Sequence, residues 1–403
     1  MRPGTDARRT AFAYGLLVIA SGLNLRDPIT SVAATLDTVT AHYGLTTVEA
    51  AAISSLPVLM LAAGAPLAPP LERRLGADRT VLVLSVLLAA SVALRPLGAL
   101  TLFLGTVVAG AAISGLSVLM PQLIRERLAG RVGLWSGVFS TSFGVSAALG
   151  AGLTVPLVAT AGSLPLALAT WAIPALLLVG LAAVLPRVSP RPVPRSRRRA
   201  AGGAAPMRPT PLMWQVTGFF GCQALVFFAT VAWLPTLYAD RGLSPDHAAG
   251  LLALASVAGL PASLGVSLVA ARLRRQHVVV AAVSLVSAVG LAGVAWAPTS
   301  LAPAFVTILG FAQGSTLGLS VALIVLKADP RAPVAPFSAF AQGVGYAIAA
   351  AGPMLIGLLR SLGLPWSLAI ATLIGVVAAQ AVTGWAAGRH VVSRSAEPVT
   401  ECV

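Results

Sequence analysis

Apolar residues dominate this chain in long unbroken runs, and its polar positions are gathered into short clusters between them. A helix needs roughly 20 predominantly apolar residues to cross the hydrocarbon of a bilayer. Runs of that kind occupy residues 11–37, 48–71, 79–96, 99–124, 132–159, 164–185, 212–239, 246–271, 278–297, 300–326, 334–359 and 364–388. The pattern predicts an all-α membrane protein with twelve transmembrane helices. The third and fourth runs are separated only by a turn at Arg95-Pro96. Two helix starts can be read in detail. Thr46-Thr47-Val48-Glu49 is a capping box opening the second span. Ser244-Pro245 opens the eighth, with proline at the first helical position.

Composition supports lipid as the main solvent. Of the 403 residues, 57% are hydrophobic and only 10% are charged, against about 25% charged in soluble proteins. The net charge of +15 raises the possibility of a nucleic-acid partner, but the placement of the cations argues for a membrane address. With the N-terminus in the cytoplasm, all but four of the 27 basic residues fall on the cytoplasmic side. The exceptions are Arg95, Arg241 and Arg360 on the far side and Arg26 inside a helix. Such a bias orients helical membrane proteins, so both termini are expected in the cytoplasm of a bacterium, with the chain in its inner membrane. Arg2, Arg8 and Arg9 ahead of an apolar run resemble a secretory signal, but that run is too long and is read as a retained first helix.

The expected division is a tail at 1–10, a six-helix bundle at 11–185, a linker at 186–211, a second six-helix bundle at 212–388 and a tail at 389–403. The linker is rich in Pro, Arg, Gly and Ala without apolar periodicity. It reads as a solvated cytoplasmic segment held near anionic lipid headgroups, not as a nucleic-acid arm. The halves repeat in the same direction. Gly44-Leu45-Thr46-Thr47-Val48-Glu49-Ala50-Ala51 matches Gly242-Leu243-Ser244-Pro245-Asp246-His247-Ala248-Ala249. Gly115-Leu116-Ser117-Val118 recurs as Gly318-Leu319-Ser320-Val321. Two six-helix bundles related as parallel repeats form the architecture of major-facilitator transporters, which hold substrate between the bundles near the midplane.

Four stretches narrow the resemblance: Leu23-Asn24-Leu25-Arg26-Asp27-Pro28-Ile29-Thr30-Ser31; Met120-Pro121-Gln122-Leu123-Ile124-Arg125 with Gly133-Leu134-Trp135-Ser136; Trp233-Leu234-Pro235; and Ala339 to Tyr346, AFAQGVGY. Together they resemble the cyanate and nitroimidazole transporter family of the major facilitator superfamily. The resemblance implies a small anion such as cyanate, or a small nitrogen compound such as a nitroimidazole. Two departures stand out. Asp27 separates Arg26 from Pro28, where members usually have proline directly after the arginine. The loop after the second helix has Pro69 near the place where the superfamily carries an aspartate, with Glu72 as the candidate substitute.

Arg26 is the sharpest candidate. It lies about 15 residues into the first run, roughly 22 Å deep at 1.5 Å per residue. A central arginine costs at least about 2.5–3.5 kcal/mol on insertion scales, so it is expected to face a wet cavity as a fixed cation for the solute. Pro28 cannot donate to the carbonyl of Asn24 and should kink the helix beside it, bringing Asn24 to the same cavity. Asp27 is a candidate either to neutralise Arg26 or to carry a coupling proton. Gln223, Gln313, Gln342 and Tyr346 fall at mid-membrane depth in the second half and are expected to bind the solute, with Phe227 beside them. Trp135, Phe139 and Trp233 are candidates for walls or gates.

Several chemistries are excluded or disfavoured. The only lysine, Lys327, is followed by Ala328, so no Walker A motif exists. Cys222 and Cys402 give no disulfide framework, and His42, His247, His277 and His390 show no metal-ligand spacing. No catalytic cluster lies in a helix interior, so an enzyme is not expected. No cofactor or metal is implied; a proton is the candidate coupling ion. The expected protein is a monomeric secondary transporter, with a proton-coupled multidrug efflux pump and a non-transporting solute receptor as competing readings.

Overall fold

The computed structural model describes residues 3–188, 209–329 and 332–390. The first half contains α1 (Pro3–Leu23), α2 (Asp27–Ala34), α3 (Leu36–Tyr43), α4 (Thr47–Gly64), α5 (Ala68–Leu75), α6 (Ala77–Leu94), α7 (Ala99–Arg127), α8 (Val132–Ala161), α9 (Leu164–Ala169) and α10 (Ala172–Val188). The second contains α11 (Pro211–Asp240), α12 (Pro245–Arg272), α13 (His277–Trp296), α14 (Ala302–Lys327), α15 (Val334–Ser361) and α16 (Trp366–Arg389). No strand occurs among the described residues. Eleven helices there are long and apolar enough to cross a membrane. The twelfth span is the first one, built from α1 and α2 with an interruption between them. Helix α1 begins at Pro3, so helix reaches into the stretch expected as a tail. Most of the basic linker and residues 391–403 lie outside the described residues.

The expected kink at Pro28 is a complete break. Helix α1 stops at Leu23, Arg26 adopts φ −123° and ψ −32°, and α2 restarts with Pro28 in its first turn. Proline is tolerated there because a first-turn residue has no intrahelical acceptor for its N–H. The helix therefore ends and begins again, which avoids a proline in mid-helix. The capping box forms as read: Glu49 accepts the Thr46 N–H at 2.8 Å, and Thr46 accepts the Glu49 N–H at 3.3 Å. Ser244 caps α12 by accepting from the His247 N–H. The turns before these paired helices need glycine, since Gly44 and Gly242 sit at φ 63° and 87°. The sequence repeat is thus also a repeat of backbone conformation.

Within the second half, α12 and α14 pack backbone to backbone. Gly310, Gly314 and Gly318 stand four residues apart and face Ala255, Gly259 and Ser263. A Cβ on these glycines would lie 2.1, 2.0 and 2.3 Å from the carbonyl oxygens of Ala255, Gly259 and Ser263 respectively. Small residues at such spacing let membrane helices approach closely where no hydrophobic effect drives them together.

The halves meet mainly at the end of the molecule that carries the arginine-rich turns. Gly133 packs against Ala271, and Gly137 against Leu264. Arg125 on α7 donates to the carbonyls of Ala328 at 3.3 Å and Asp329 at 2.9 Å, and also to that of Ala332, all in the turn joining α14 to α15. Gln122 accepts the Ala335 N–H at 3.0 Å and so caps the first turn of α15 from the other half. Deeper in, Ser117 donates to Gln342 Oε1 at 2.5 Å, and Thr141 donates to the Leu260 carbonyl at 3.1 Å. These bonds run from the basic end to mid-membrane.

The α12–α14 contact makes a direct prediction. Gly314→Val should lower the melting temperature of the detergent-purified protein, with a loss of about 1–3 kcal/mol for overpacking. Gly152→Val, at a glycine with open space around its Cβ position, is the control and should melt as the parent does.

Candidate functional site

The break between α1 and α2 presents Arg26 to the space between the halves. Its geometry is fixed from α8. Ser146 Oγ accepts the backbone N–H groups of Arg26 and Asp27 at 3.0 and 2.8 Å and donates to Asp27 Oδ1 at 2.9 Å. One hydroxyl thus takes up two donors that the restart of the helix leaves without intrahelical partners. One turn further along α8, Gly150 lets α2 come close: a Cβ there would lie 2.7 Å from Asp27 Cα and 2.2 Å from Thr30 Oγ1. From the other side, Arg95 donates to the Pro28 carbonyl at 2.6 Å. Arg95, read from sequence as a far-side loop cation, is only 2% exposed and is a buried anchor of α2.

The Arg26 guanidinium is held without an acceptor. The side chain is 7% exposed, its Nε is buried with no hydrogen-bond partner, and no carboxylate among the described residues forms an ion pair with it. Its charge rests on aromatic faces, with Cζ 4.5 Å from the Phe143 centroid, 5.1 Å from Phe227 and 4.8 Å from Phe228. Desolvated cation–π contacts are worth about 2 kcal/mol, enough to offset part of the cost of burying the charge. They consume none of the five N–H donors of an arginine through conventional hydrogen bonds.

Arg26 opens onto a cavity of about 80 Å³ between the halves. The first half contributes Arg26, Ser140, Phe143, Gly144 and Ala147. The second contributes residues of α11, α12, α14 and α15, among them Gln223, Phe227, Thr230, Leu252, Ser263, Gln313 and Tyr346. On the basic side the cavity is closed by the contacts between halves. On the opposite side its rim residues Val231 and Ser256 are exposed. The protein is therefore shown closed toward its basic end and opening away from it.

Of the residues singled out from sequence, Arg26, Gln223, Phe227, Gln313 and Tyr346 come together at this cavity. Gln313 also donates to Thr230 at 2.9 Å, and Tyr346 packs edge-on against Phe220 at 5.2 Å. Asn24 is turned into its own half, donating to the carbonyls of Ala20 at 2.8 Å and Pro174 at 3.2 Å. Gln342 is not part of the cavity lining, and its amide is committed to Ser117 and Ser338. Asp27 is 1% exposed and bonded to Ser146 rather than to Arg26, with Oδ2 buried and unpartnered. Trp135 packs its ring on Gly15, and Phe139 lies against Gly22. Trp233 donates to the Pro353 carbonyl at 2.9 Å. These three aromatics are not part of the cavity lining. Ser146 and Phe143 were not picked out from sequence. Both lie on α8, and the glycine run from Gly144 to Gly152 was the available sign that this stretch approaches another backbone.

A fold of two six-helix halves with a cavity between them, in whose lining Arg26 is the one charged side chain among the described residues, is that of a membrane transporter and not an enzyme. The chain belongs to the Major Facilitator Superfamily, whose family model matches residues 10–353. It is 33% identical over 384 residues to the 2-nitroimidazole transporter of Escherichia coli (strain K12), covering 94% of this chain and 96% of that one. It is 28% identical over 352 residues to the cyanate transport protein CynX of the same organism, covering 86% and 90%. Among solved structures, FucP in its outward conformation superposes with a TM-score of 0.70 at 15% identity, covering 94% of this chain and 100% of that one. The resemblance drawn from the four sequence stretches agrees with these relatives.

Ser146→Ala is predicted to destabilise the protein by about 1–3 kcal/mol, because it leaves the Arg26 and Asp27 N–H groups buried without acceptors. The loss should appear as a lower melting temperature. Ser146→Thr, which keeps the hydroxyl, should recover most of it if the methyl group fits beside Gly150.

Proposed function

We propose that this protein is a secondary transporter that carries a small anionic or electron-rich nitrogen-containing solute through the bacterial inner membrane by alternating access. The observation that carries the reading is the Arg26 guanidinium: buried deep in the first span, facing the cavity, and with no carboxylate among the described residues paired to it. A charge in that position is costly unless something pairs with it for part of the cycle. Gln223, Gln313 and Tyr346 on the opposite half supply donors and acceptors for the same solute, so closure of the halves around it completes the site. Cyanate and 2-nitroimidazole, named for the two relatives, are solutes of this chemical kind. The clustering of arginines at one end supports cytoplasmic termini.

Purified protein in liposomes is expected to exchange a labelled small anion across the membrane. Arg26→Ala should lower that exchange by about 30-fold or more, since a bound charge loses a partner worth about 2–5 kcal/mol. A receptor would show binding without flux. If Arg26→Ala exchanges the anion as fast as the parent, the fixed-cation reading fails.

Asp27 supports a second element of the reading, coupling to protons. It is a deeply buried carboxylate one residue from Arg26, with one oxygen held by Ser146 and the other unpartnered. A carboxyl so placed can take up and release a proton without disturbing the Arg26 side chain directly. Asp27→Asn should then leave solute exchange at equal pH nearly unchanged while abolishing the acceleration produced by an imposed pH gradient. Acceleration that survives the substitution would remove Asp27 from the coupling step.

A further inference from the structure

Charge and apolar surface are divided unevenly between the two walls of the cavity. The first half brings the positive charge, Arg26. The second half brings most of the apolar surface, through Phe227, Leu252, Leu260 and Leu309. A three-atom linear anion would satisfy the guanidinium and leave that apolar wall uncovered. A neutral aromatic ring would cover the wall and leave a buried cation without a partner, which is the more costly omission. A solute that satisfies both walls carries an anionic group attached directly to an apolar body.

Two further observations restrict that body. The faces of Phe143, Phe227 and Phe228 surround the guanidinium carbon within 4.5–5.1 Å. Whatever carries the anionic group therefore lies against aromatic rings, where a flat conjugated ring gains edge-to-face or offset contacts that an aliphatic chain does not. The guanidinium keeps its donors free, and a carboxylate takes two of them in parallel. Volume sets a lower bound on size. A cavity of about 80 Å³ is several times the roughly 10–15 Å³ that one water needs, so it has room for a ring with its carboxylate and more room than cyanate fills.

Building on the fixed-cation reading above, we propose that the cavity binds small single-ring aromatic monocarboxylates. The carboxylate pairs with Arg26 of the first half, and the ring lies against Phe227 and the leucines of the second. Such a solute bridges the halves, because the charge stands on the first and most of the apolar surface on the second.

The test is equilibrium binding to the purified full-length protein, with four solutes compared on one sample: benzoate, benzamide, acetate and cyanate. Benzoate should bind at least about tenfold tighter than each of the other three, a difference of 1.4 kcal/mol. Arg26→Gln should remove the advantage of benzoate over benzamide. Phe227→Leu should reduce the advantage of benzoate over acetate, with a cooperative melting transition showing that the variant is folded. If acetate or cyanate binds as tightly as benzoate and still depends on Arg26, the aromatic class is overturned and the fixed cation stands. If benzamide matches benzoate, or if none of the four binds, the aromatic-acid proposal and the fixed-cation reading fall together.

Discussion

A buried arginine that forms no ion pair among the described residues organises much of the first half of this molecule. Its side chain reaches the space between the halves because the first transmembrane helix stops at Leu23 and starts again at Asp27. The interruption exposes backbone donors, and these need acceptors as surely as the charge needs a partner. Ser146 supplies them from α8, Gly150 allows the approach, and Arg95 holds the restarted helix from the other side. Three residues far from the break in sequence therefore serve one backbone irregularity. The irregularity in turn sets the direction of a single cation. Non-helical backbone at this depth is tolerated only where protein or a wet cavity surrounds it, and here it has protein on one side and the cavity on the other.

The aromatic surroundings of Arg26 explain how the charge is held when nothing is bound. Ring faces attract a cation without a hydrogen bond and without a counter-charge. A carboxylate in the same place would have neutralised the arginine and left little for an incoming anion to gain. Phe143, Phe227 and Phe228 moderate the cost of burial and leave the donors available. They also come from both halves, α8 on one side and α11 on the other. Movement of one half against the other would therefore change how much π surface the guanidinium sees.

Much of this could be read in the sequence, and the reason is physical. A bilayer imposes a length and a polarity on every span, so the twelve runs, the parallel repeat and the unusual depth of Arg26 were all visible as one-dimensional patterns. The paired turns at Gly44 and Gly242 were visible for the same kind of reason, since local backbone geometry restricts residue choice locally. What counting could not provide was direction around each helix. Gln313 and Gln342 lie at similar depth, yet one lines the cavity and the other is spent on Ser117 and Ser338. Asn24 and Arg26 are two residues apart, but the break turns the asparagine back into its own half. Ser146 looked like one small residue among many, and its role exists only because another helix is broken opposite it. Arg95 was counted as a loop cation, because a turn of three residues drawn into a bundle looks like any other in sequence.

The contacts that close the basic end differ in kind from those that hold each half together, and this decides how the molecule can move. Arg125, Gln122 and Gln342 bind across the halves through side chains meeting carbonyls, an N–H group or a hydroxyl. Each such bond has a net worth of about 0.5–1.5 kcal/mol, or about 1.5–3 where one group is charged, because water replaces the partner on separation. The α12–α14 contact has no such replacement. Its glycines lie against carbonyls with no space for a Cβ, and separating the helices would leave bare voids in lipid. The cavity's second wall therefore moves as one piece, and so does the Ser146-braced break that carries Arg26. Any opening toward the basic end would then release the polar bonds together while leaving these two packed units intact.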